Sequence, residues 1–547
     1  MILRSALAVV CGIVWCGIGS AYAAESASTD EQALTEKRFN VGRDLYRAQC
    51  AVCHGQTGAG DGRAAYLLYP KPRDLTKNEF RLISTKDMQA TDQDLFRTIT
   101  RGMPGSSMPG WGHLTEEERW GLVYYVRYLS RVGELVQSGE ATESSVAEGL
   151  SWPLVEKVVR TRTDPESLIG VTVEPAVTDE CLGLGRELFV KACASCHGNS
   201  GKGDGQQAMS DSSGLPLRPR DLTAGIFKGS SDSRDLYHRI AAGLPGSPMP
   251  GYLEALSDEE IWNLVHYVQT LSDPEAEKLS LVRRTRLDVR TVDRAPEEPL
   301  DVLWQQQEPT HIALTPLWWR DDRVQGIMVR VLRDEHRIAF HLSWKDASQN
   351  DTATAIQAFS DGVAIQLSDS DRLPTFAMGA ADAPVTIWSW KAAWQQDLER
   401  REDIETVYPN ASIDWYSAQK NYKPGDPVEM ADTQTRFHDP MFITGWGAGN
   451  SLSDPHRRRA VEESMAKGLS TLTTQRVTEG AVDVKGEWKD GVWSVVFVRD
   501  LAARGKGRVD LRKGDRLSVA FAVWDGSKRD RNGQKAVSIW NELVIGD

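Results

Sequence analysis

The sequence lacks the features that mark several large classes of protein. Its 547 residues include 64 Lys and Arg against 77 Asp and Glu, a net charge of −13, whereas nucleic-acid binding favours a basic surplus. A composition of 40% hydrophobic and 26% charged residues argues against disorder, collagen-like repeats and several membrane spans. The seven cysteines are not needed as disulfide staples, since a chain of this length can bury a substantial core. At roughly 150 residues per domain, we expect three or four globular domains.

Residues 1–23 have the pattern of a secretory signal peptide. Arg4 provides a positive charge, an apolar stretch runs from Ala6 to Ile18, and Ala21-Tyr22-Ala23 fits a cleavage site after Ala23. We therefore predict a periplasmic protein with no transmembrane segment after cleavage, and an uncleaved anchor is the alternative. Five cysteines would remain in the mature chain: Cys50, Cys53, Cys181, Cys193 and Cys196.

Four of these cysteines lie in two copies of the motif C-x-x-C-H. The copies are Cys50-Ala51-Val52-Cys53-His54 and Cys193-Ala194-Ser195-Cys196-His197. The motif is the attachment signature of c-type haem, in which both thiols form thioethers with the haem and the adjacent His binds the iron. A single copy could also be a redox-active pair, a structural disulfide or half of a zinc site. Two copies in one exported chain favour two covalent haems c, with His54 and His197 as proximal ligands.

The flanks of the two motifs repeat as well, which supports two homologous units. A Gly-Arg pair precedes each motif, and a Gly-rich stretch that contains Asp follows each. The other matching segments are Pro-Arg-Asp-Leu-Thr at 72–76 and 219–223, and Gly-Met-Pro-Gly-Ser-Ser-Met-Pro-Gly at 102–110 against Gly-Leu-Pro-Gly-Ser-Pro-Met-Pro-Gly at 243–251.

The last of these alignments selects the second axial ligand of each iron. A His-ligated haem that only transfers electrons commonly takes a Met thioether as its other ligand. Met108 aligns with Met249, whereas Met103 aligns with Leu244. We therefore predict Met108 and Met249 as the iron ligands, with Met103 as the alternative at the first haem.

Each repeat closes with a predicted helix. Thr115-Glu116-Glu117-Glu118 and Ser257-Asp258-Glu259-Glu260 read as capping boxes, and apolar residues follow at helical spacing. Residues 37–133 and 178–273 thus resemble two all-α class I cytochrome c domains, joined by a linker at 134–177. Arg73 and Arg220 are candidate partners of haem propionates or solvated surface residues, and Cys181 is a small buried residue or a free thiol near the second haem.

The last 250 residues have a different pattern. Thirteen of the 18 Trp lie after residue 300, and helical periodicity gives way to short β-branched runs. Together these features predict a β-sandwich domain at 300–547, after a second linker at 274–299 that contains a possible strand at Leu287–Val292. We found neither a phosphate-binding Gly loop nor a convincing Ser/His/Asp pattern in it. The predicted strands are Ile327–Leu332, Ile338–Leu342, Gly362–Leu367, Val492–Val498 and Leu517–Val523.

Several segments of this domain carry a more specific resemblance. They include Phe376-Ala377-Met378-Gly379, Trp388-Ser389-Trp390-Lys391-Ala392, Phe521-Ala522-Val523-Trp524-Asp525-Gly526 and Gly533-Gln534-Lys535-Ala536-Val537. Residues 300–547 resemble the haem b-binding gamma subunits of ethylbenzene dehydrogenase and related type II enzymes of the DMSO reductase family. The resemblance implies one non-covalent haem b, with Met378 and Lys535 as its iron ligands and Lys391 as the second candidate Lys. The long polar stretch at about 395–465, with Tyr416, His438 and His456, departs from the family pattern.

Three functions remain open at this point. The first, which the resemblance favours, is a non-catalytic electron-transfer subunit with iron–sulfur and molybdenum subunits as partners and a soluble or membrane-linked cytochrome as a further redox partner. The second is a haem enzyme such as a peroxidase, which needs an iron with an open site. The third is a dihaem cytochrome c with a β-sandwich module that binds another ligand, for example a sugar, and no haem b.

Overall fold

The computed structural model describes most of the chain. The described residues are 35–137, 139, 167–210, 214–320, 322–370, 373–400, 407–410, 458–475, 477–502, 508–512 and 516–546. The predicted signal peptide, the centre of the predicted linker at 134–177, and Tyr416, His438 and His456 lie outside these ranges.

The first half of the described chain is helical, in two similar units. Each unit has a long first helix that ends at a C-x-x-C-H motif, the motif itself as a short helix, and two further helices. In the first unit these are α1 (35–45, continued by one π-helical turn at Tyr46–Cys50), α2 (Ala51–His54), α3 (Asp92–Arg101) and α4 (Glu116–Gln137). In the second unit they are α5 (Asp179–Ala192), α6 (Ala194–His197), α7 (Ser233–Ala242) and α8 (Asp258–Gln269).

The predicted capping boxes are confirmed at the starts of α4 and α8. The Glu118 amide donates to the Thr115 hydroxyl at 3.3 Å, and the Thr115 amide donates to the Glu118 carboxylate at 2.8 Å. Ser257 and Glu260 repeat this exchange. The two closing helices therefore begin where hydroxyl and carboxylate groups satisfy amides that have no partner within the helix.

The first and last helices of each unit cross at a glycine. A Cβ atom on Gly42 would collide with the Gly121 carbonyl, and one on Gly185 would collide with the Asn263 carbonyl. Helix backbones can approach this closely only when one residue has no side chain. The Gly-Arg pairs that precede both haem motifs therefore mark a helix crossing.

The second half of the described chain is rich in β-strands. All five strands predicted from the sequence are confirmed within β5, β6, β7, β12 and β13. The strands are β1 (Arg286–Asp288), β2 (Arg290–Thr291), β3 (Thr310–Ala313), β4 (Thr315–Pro316), β5 (Gly326–Arg333), β6 (Arg337–Lys345), β7 (Gly362–Ser368), β8 (Val385–Lys391), β9 (Val461–Ala466), β10 (Thr473–Thr474), β11 (Asp483–Lys489), β12 (Val492–Asp500), β13 (Arg516–Trp524), β14 (Ala536–Val537) and β15 (Asn541–Val544).

These strands form two mixed sheets that pack against each other. One sheet has the order β1-β15-β13-β7-β8-β9-β10, with β14 paired to β13 and β4 paired to β14. The other has the order β11-β12-β6-β5-β2, with β3 beside β5. Phe340 and Phe497 of the second sheet share one buried cluster with Ile365, Trp388 and Phe521 of the first. The interior of the domain is therefore the apolar layer between the two sheets.

The segment predicted as a linker at 274–299 contributes to this domain. After helix α9 (Pro274–Ser280) it supplies β1, which runs parallel to β15, and β2, which runs parallel to β5. The single predicted strand at 287–292 is thus two short strands, one in each sheet. No helix within the described ranges has both the length and the apolar character that a membrane span requires.

Candidate haem-binding sites

The first C-x-x-C-H motif presents its histidine in the form that binds iron. Nδ1 of His54 lies 3.0 Å from the Arg73 carbonyl oxygen. Because a carbonyl can only accept, the ring proton is on Nδ1, and Nε2 keeps its lone pair for a metal. Burial lowers the pKa of His54, which further favours the neutral ring.

The second motif repeats this arrangement with a looser contact. Burial also lowers the pKa of His197, and the Arg220 backbone, in the position equivalent to Arg73, opposes that shift. Nδ1 of His197 is buried without a partner at hydrogen-bond geometry. The repeated Pro-Arg-Asp-Leu-Thr segment therefore lies beside the motif histidine in both units.

Three of the four motif cysteines lie in surroundings that favour an uncharged sulfur. All four are half-buried and unpaired with one another. Burial raises the pKa of Cys50 to about 12 and those of Cys53 and Cys193 to about 11. A thioether, which has no ionisable proton, fits these positions.

The Gly-rich stretch after each motif turns the chain back over the motif helix. The residue after each histidine, Gly55 or Gly198, has a positive φ. The Gly60 amide donates to the His54 carbonyl and the Gly203 amide to the His197 carbonyl, both at 2.8 Å. The sequence repeat is therefore also a repeat of backbone hydrogen bonds.

Met108 and Met249 occupy the same position in two matching loops. The amide of residue 103 or 244 donates to the carbonyl of Met108 or Met249, at 3.0 and 3.2 Å. In both loops a serine hydroxyl, from Ser106 or Ser247, accepts from the amide of the methionine. These contacts support the alignment by which Met108 and Met249 were selected.

A group of cations lies where the two helical units meet. Arg220 of the second unit donates to the Gly105 carbonyl in the first methionine loop, and Nη1 of Arg73 packs against Gly246 in the second. Burial, followed by Arg220, Arg81 and Arg73, lowers the pKa of half-buried Lys228 well below its usual value. So many close cations favour an anionic ligand, and haem propionates have the required charge.

Lys228 and Arg81 are site residues that the sequence analysis missed. A signal was available, because the segments Thr76-Lys77-Asn78-Glu79-Phe80-Arg81 and Thr223-Ala224-Gly225-Ile226-Phe227-Lys228 continue the alignment of Arg73 with Arg220 and place Lys228 opposite Arg81. Cys181 forms a capping box with Thr178 at the start of α5, and its sulfur lies 3.7 Å from Nδ1 of His266.

Met378 and Lys535 lie on one face of the nine-stranded sheet. Met378 and Trp524 both pack against the apolar cluster on the side of this sheet that faces away from the second sheet. Nζ of Lys535 lies 4.7 Å from the centre of the Trp524 ring. The same cluster combines alanines, such as Ala364 and Ala520, with the larger side chains of Ile387 and Trp540.

The surroundings of the two candidate lysines differ. Lys535 is half-buried, and desolvation of its ammonium group lowers its pKa to about 8. Lys391 is exposed at the end of β8, with Nζ 4.9 Å from the Trp394 ring centre. An iron-binding lysine must be neutral, so the structure favours Lys535.

One short segment links the methionine loop of the first helical unit to Lys535. The Ser107 hydroxyl donates to the Leu317 carbonyl at 3.1 Å, and the Leu317 amide donates to the Lys535 carbonyl at 3.0 Å. Tyr69 stacks on Trp318, and the Arg220 guanidinium lies over the Trp319 ring. Residues 315–319, which we call the bridge segment, therefore contact all three candidate sites.

A cleft separates the first haem motif from the Met378 loop. It has a volume of about 850 Å³ and is lined by Ala51, Val52 and Gly55 on one side and by Ala377 and Gly379 on the other. Beside it, Nε2 of Gln49 donates to the Leu373 carbonyl at 2.6 Å. The helical and β-rich regions therefore meet next to two of the predicted ligand sets.

Family models match three parts of the chain. Residues 301–536 match the ethylbenzene dehydrogenase family, residues 183–272 match cytochrome c, and residues 37–126 match the cytochrome c oxidase, cbb3-type, subunit III family.

Curated relatives match over a little less than half of the chain. The ORF7 protein of Haloferax mediterranei, a heme subunit assigned to a respiratory nitrate reductase, is 25% identical over 41% of this chain and 58% of its own length. The dimethylsulfide dehydrogenase subunit gamma of Rhodovulum sulfidophilum is 27% identical over 45% of this chain and 74% of its own. The chlorate reductase subunit gamma of Ideonella dechloratans is 21% identical over 49% and 86%. This chain thus spans less than two thirds of the Haloferax protein.

A solved structure, the Kuenenia stuttgartiensis reducing HAO-like protein complex, is 34% identical over 43% of this chain and 96% of that chain. Its TM-score of 0.35 is too low to support an argument about the fold.

The family matches agree with the two kinds of structure seen here. The chain joins helical cytochrome c-type domains to a β-rich C-terminal domain of the ethylbenzene dehydrogenase family.

Proposed function

We propose that this chain is a periplasmic electron-transfer subunit that binds two haems c and one haem b. Cytochrome c domains at 37–133 and 178–273 would carry the haems c, and the domain at 300–547 would carry the haem b. The observation that carries the proposal is the contact of all three candidate sites with the bridge segment, residues 315–319. Each haem, when bound, supplies a one-electron Fe(III)/Fe(II) couple.

The proposed roles of the residues follow from their positions. In each helical unit the two thiols would anchor the cofactor, the motif histidine would offer Nε2 to the iron, and the Met loop would offer a neutral thioether as the second ligand. The proposed thioether cysteines are Cys50, Cys53, Cys193 and Cys196, and the proposed iron ligands are His54 with Met108, His197 with Met249, and Met378 with Lys535.

We propose that catalysis takes place on a partner. The matched gamma subunits belong, by their names, to dimethylsulfide dehydrogenase and chlorate reductase, which supports a place in an oxidoreductase complex with molybdenum and iron–sulfur subunits. A soluble or membrane-linked cytochrome would then exchange electrons with this chain. The paired Met loops favour this function over a peroxidase, because a thioether on each iron leaves no open site.

The haem content of the purified protein tests the proposal. We expect a pyridine haemochrome spectrum with two c-type haems for each b-type haem. Acid–acetone extraction should remove the b-type haem and leave the covalent c-type haems on the chain.

Two lysine variants form a matched pair for the third site. Lys535→Ala should lose the b-type spectrum and keep both c-type haems, whereas Lys391→Ala should keep all three. A wild-type protein with c-type haem alone would contradict the haem b assignment and favour a β-sandwich module for another ligand. A high-spin, five-coordinate iron in the resting protein would instead favour a haem enzyme.

A further inference from the structure

Three buried aspartates meet at one end of the β-rich domain. Asp346 follows β6, Asp361 precedes β7, and Asp525 follows β13, so the three come from both sheets. One carboxylate oxygen from each lies within 4.8 Å of the others. Their residues are only 5%, 0% and 7% exposed.

The positive charges near this group in the described part of the chain also contact other groups. Arg320, whose pKa Asp525 helps to raise, pairs with Asp530. Lys528, three residues after Asp525, pairs with Asp322 at 2.8 Å. The Arg531 guanidinium lies over the Phe359 ring, 4.9 Å from its centre. Three carboxylates this close and this well buried repel one another unless protons or a cation neutralise them.

Burial and mutual repulsion raise the pKa values of two of the three carboxyl groups. Burial, with a smaller contribution from the Asp346 carboxylate, raises the pKa of Asp361 to about 7. Burial raises the pKa of Asp346 too, with Asp525 adding to the shift. Both shifts have the direction expected for anions that lack a counter-charge.

One oxygen of the group has no hydrogen-bond partner. Oδ2 of Asp346 is buried and has no hydrogen-bond partner, and the residue as a whole is 95% buried. The neighbouring Trp344 indole lowers the pKa of this carboxylate, yet its own N–H also lacks a partner at hydrogen-bond geometry. A buried carboxylate oxygen without a donor, beside two other carboxylates, has the surroundings of a cation ligand.

The remaining carboxylates are held in fixed positions by N–H donors. The Gly526 amide donates to Oδ1 of Asp361 at 2.8 Å, and the Trp493 indole N–H donates to Oδ2 at 3.0 Å. Oδ2 also accepts from the Asn350 amide at 2.7 Å, so both of its lone pairs are used, and the second lone pair of Oδ1 is the one on Asp361 that can bind a metal.

We propose that Asp346, Asp361 and Asp525 form a binding site for one Ca²⁺ ion. Carboxylate oxygens are the ligands that hard divalent cations prefer. Mg²⁺ normally retains several waters, whereas Ca²⁺ accepts a shell built mostly from protein oxygens. The near-complete burial of the three residues leaves little access for water and therefore favours Ca²⁺.

The position of the site gives the ion a structural role. It joins the end of β6 in one sheet to the start of β7 and the end of β13 in the other. Asp525 also follows Trp524, the ring over which Lys535 lies. Bound Ca²⁺ would fix the start of the loop that leads to Lys535, but the proposal does not depend on haem b at that lysine.

The test uses the full-length holoprotein. Elemental analysis of protein purified without chelator should find about one Ca²⁺ per chain. After chelator treatment, adding Ca²⁺ should raise the thermal midpoint of a calorimetric transition by about 5 °C or more, and Mg²⁺ at the same concentration should have a smaller effect. The haem content is measured on the same samples and should not change.

Three variants make the test specific. Asp346→Asn and Asp361→Asn should each abolish the Ca²⁺-dependent shift. Asp490→Asn, in the exposed turn between β11 and β12, should keep it, because Asn tolerates the positive φ of this position. Asp346→Asn is the safer probe if Asp361→Asn does not fold, since it replaces a carboxylate that has an unpartnered oxygen.

Two results would overturn the proposal. The first is a wild-type protein without bound Ca²⁺ whose thermal midpoint Ca²⁺ does not change. The second is a Ca²⁺-dependent shift of equal size in wild type and Asp346→Asn. An equal response to Mg²⁺ would reject the choice of Ca²⁺.

Discussion

Met108 and Met249 make the same hydrogen bonds in their loops, and these matching contacts support the proposal that each is an iron ligand. Their carbonyls accept from the amides of residues 103 and 244, and their own amides donate to Ser106 and Ser247. Met103 supplies the donor of the first of these bonds, since its amide donates to the Met108 carbonyl. Leu244 performs that role in the second unit, so a thioether is not needed there.

Replacement of single methionines tests these roles. Met108→His and Met249→His should each lower the midpoint potential of one haem c, because a thioether stabilises ferrous iron more than an imidazole does. The shift should be a substantial fraction of the ~0.8 V that axial ligands span. Spectroelectrochemical titration of the purified protein measures it.

Met103→Leu is the matched control, since leucine already occupies the equivalent position in the second unit. We expect both midpoint potentials to stay at their wild-type values. A shifted potential in Met103→Leu, with no shift in Met108→His, would assign the first iron ligand to Met103.

At the residue scale, the sequence predicts those candidate site residues that lie in a repeat or in a known motif. The two haem motifs and the paired methionines could be found because each copy checks the other. The grouping of Lys228 with Arg73 and Arg220 could not, because the repeat that aligns Lys228 with Arg81 does not show how the two units approach each other. Asp346, Asp361 and Asp525 could not either, since each is an ordinary Asp beside a strand until the two sheets are packed.

At the scale of elements, the glycine at each helix crossing explains why the two units fold alike. In α5, Gly185 faces the Asn263 carbonyl, whereas Gly183, two residues earlier in the same helix, has open space around it. The two glycines therefore differ in packing although they share one helix.

Alanine substitution should have opposite effects at these two positions. Gly185→Ala should destabilise the second helical unit by about 1–3 kcal/mol, because the new methyl group would force α5 and α8 apart. Gly183→Ala should stabilise it by about 0.5–1 kcal/mol, since alanine loses less entropy in a helix. Thermal unfolding followed by circular dichroism at equal haem content measures both. Equal effects of the two substitutions would contradict the crossing.

The sequence predicts which segments form strands, but it does not predict what each face of a strand packs against. β13 places Val519 and Phe521 between the sheets, and Ala520 and Ala522 on the outer face that carries Met378. Both faces are apolar, so the alternation of polar and apolar residues that normally marks an exterior is absent. The sequence predicts one strand at 287–292 where the structure has two short strands, β1 and β2. Each of them has too few residues to show its own periodicity.

At the scale of the whole molecule, the two helical units exchange equivalent contacts. Each unit places its Pro-Arg-Asp-Leu-Thr arginine, Arg73 or Arg220, against the methionine loop of the other. Side chains also cross between the units, since Arg239 donates to the Ile83 carbonyl at 2.9 Å and Arg101 pairs with Asp235. Apolar residues of both units belong to one buried cluster. A sequence repeat predicts two similar units but cannot predict how they face each other.

This exchange predicts that one arginine influences both haems c. The Arg220 backbone lies beside His197, while its guanidinium contacts Gly105 in the loop of Met108. A nearby cation favours the reduced and less positive iron, so Arg220→Met should lower both midpoint potentials, by tens of millivolts at the effective dielectric of a protein interior. Arg218→Met, an exposed control two residues earlier, should leave both unchanged. If Arg220→Met moved the potential of only the second haem c, at full haem content, the two sites would be electrostatically independent despite their contact.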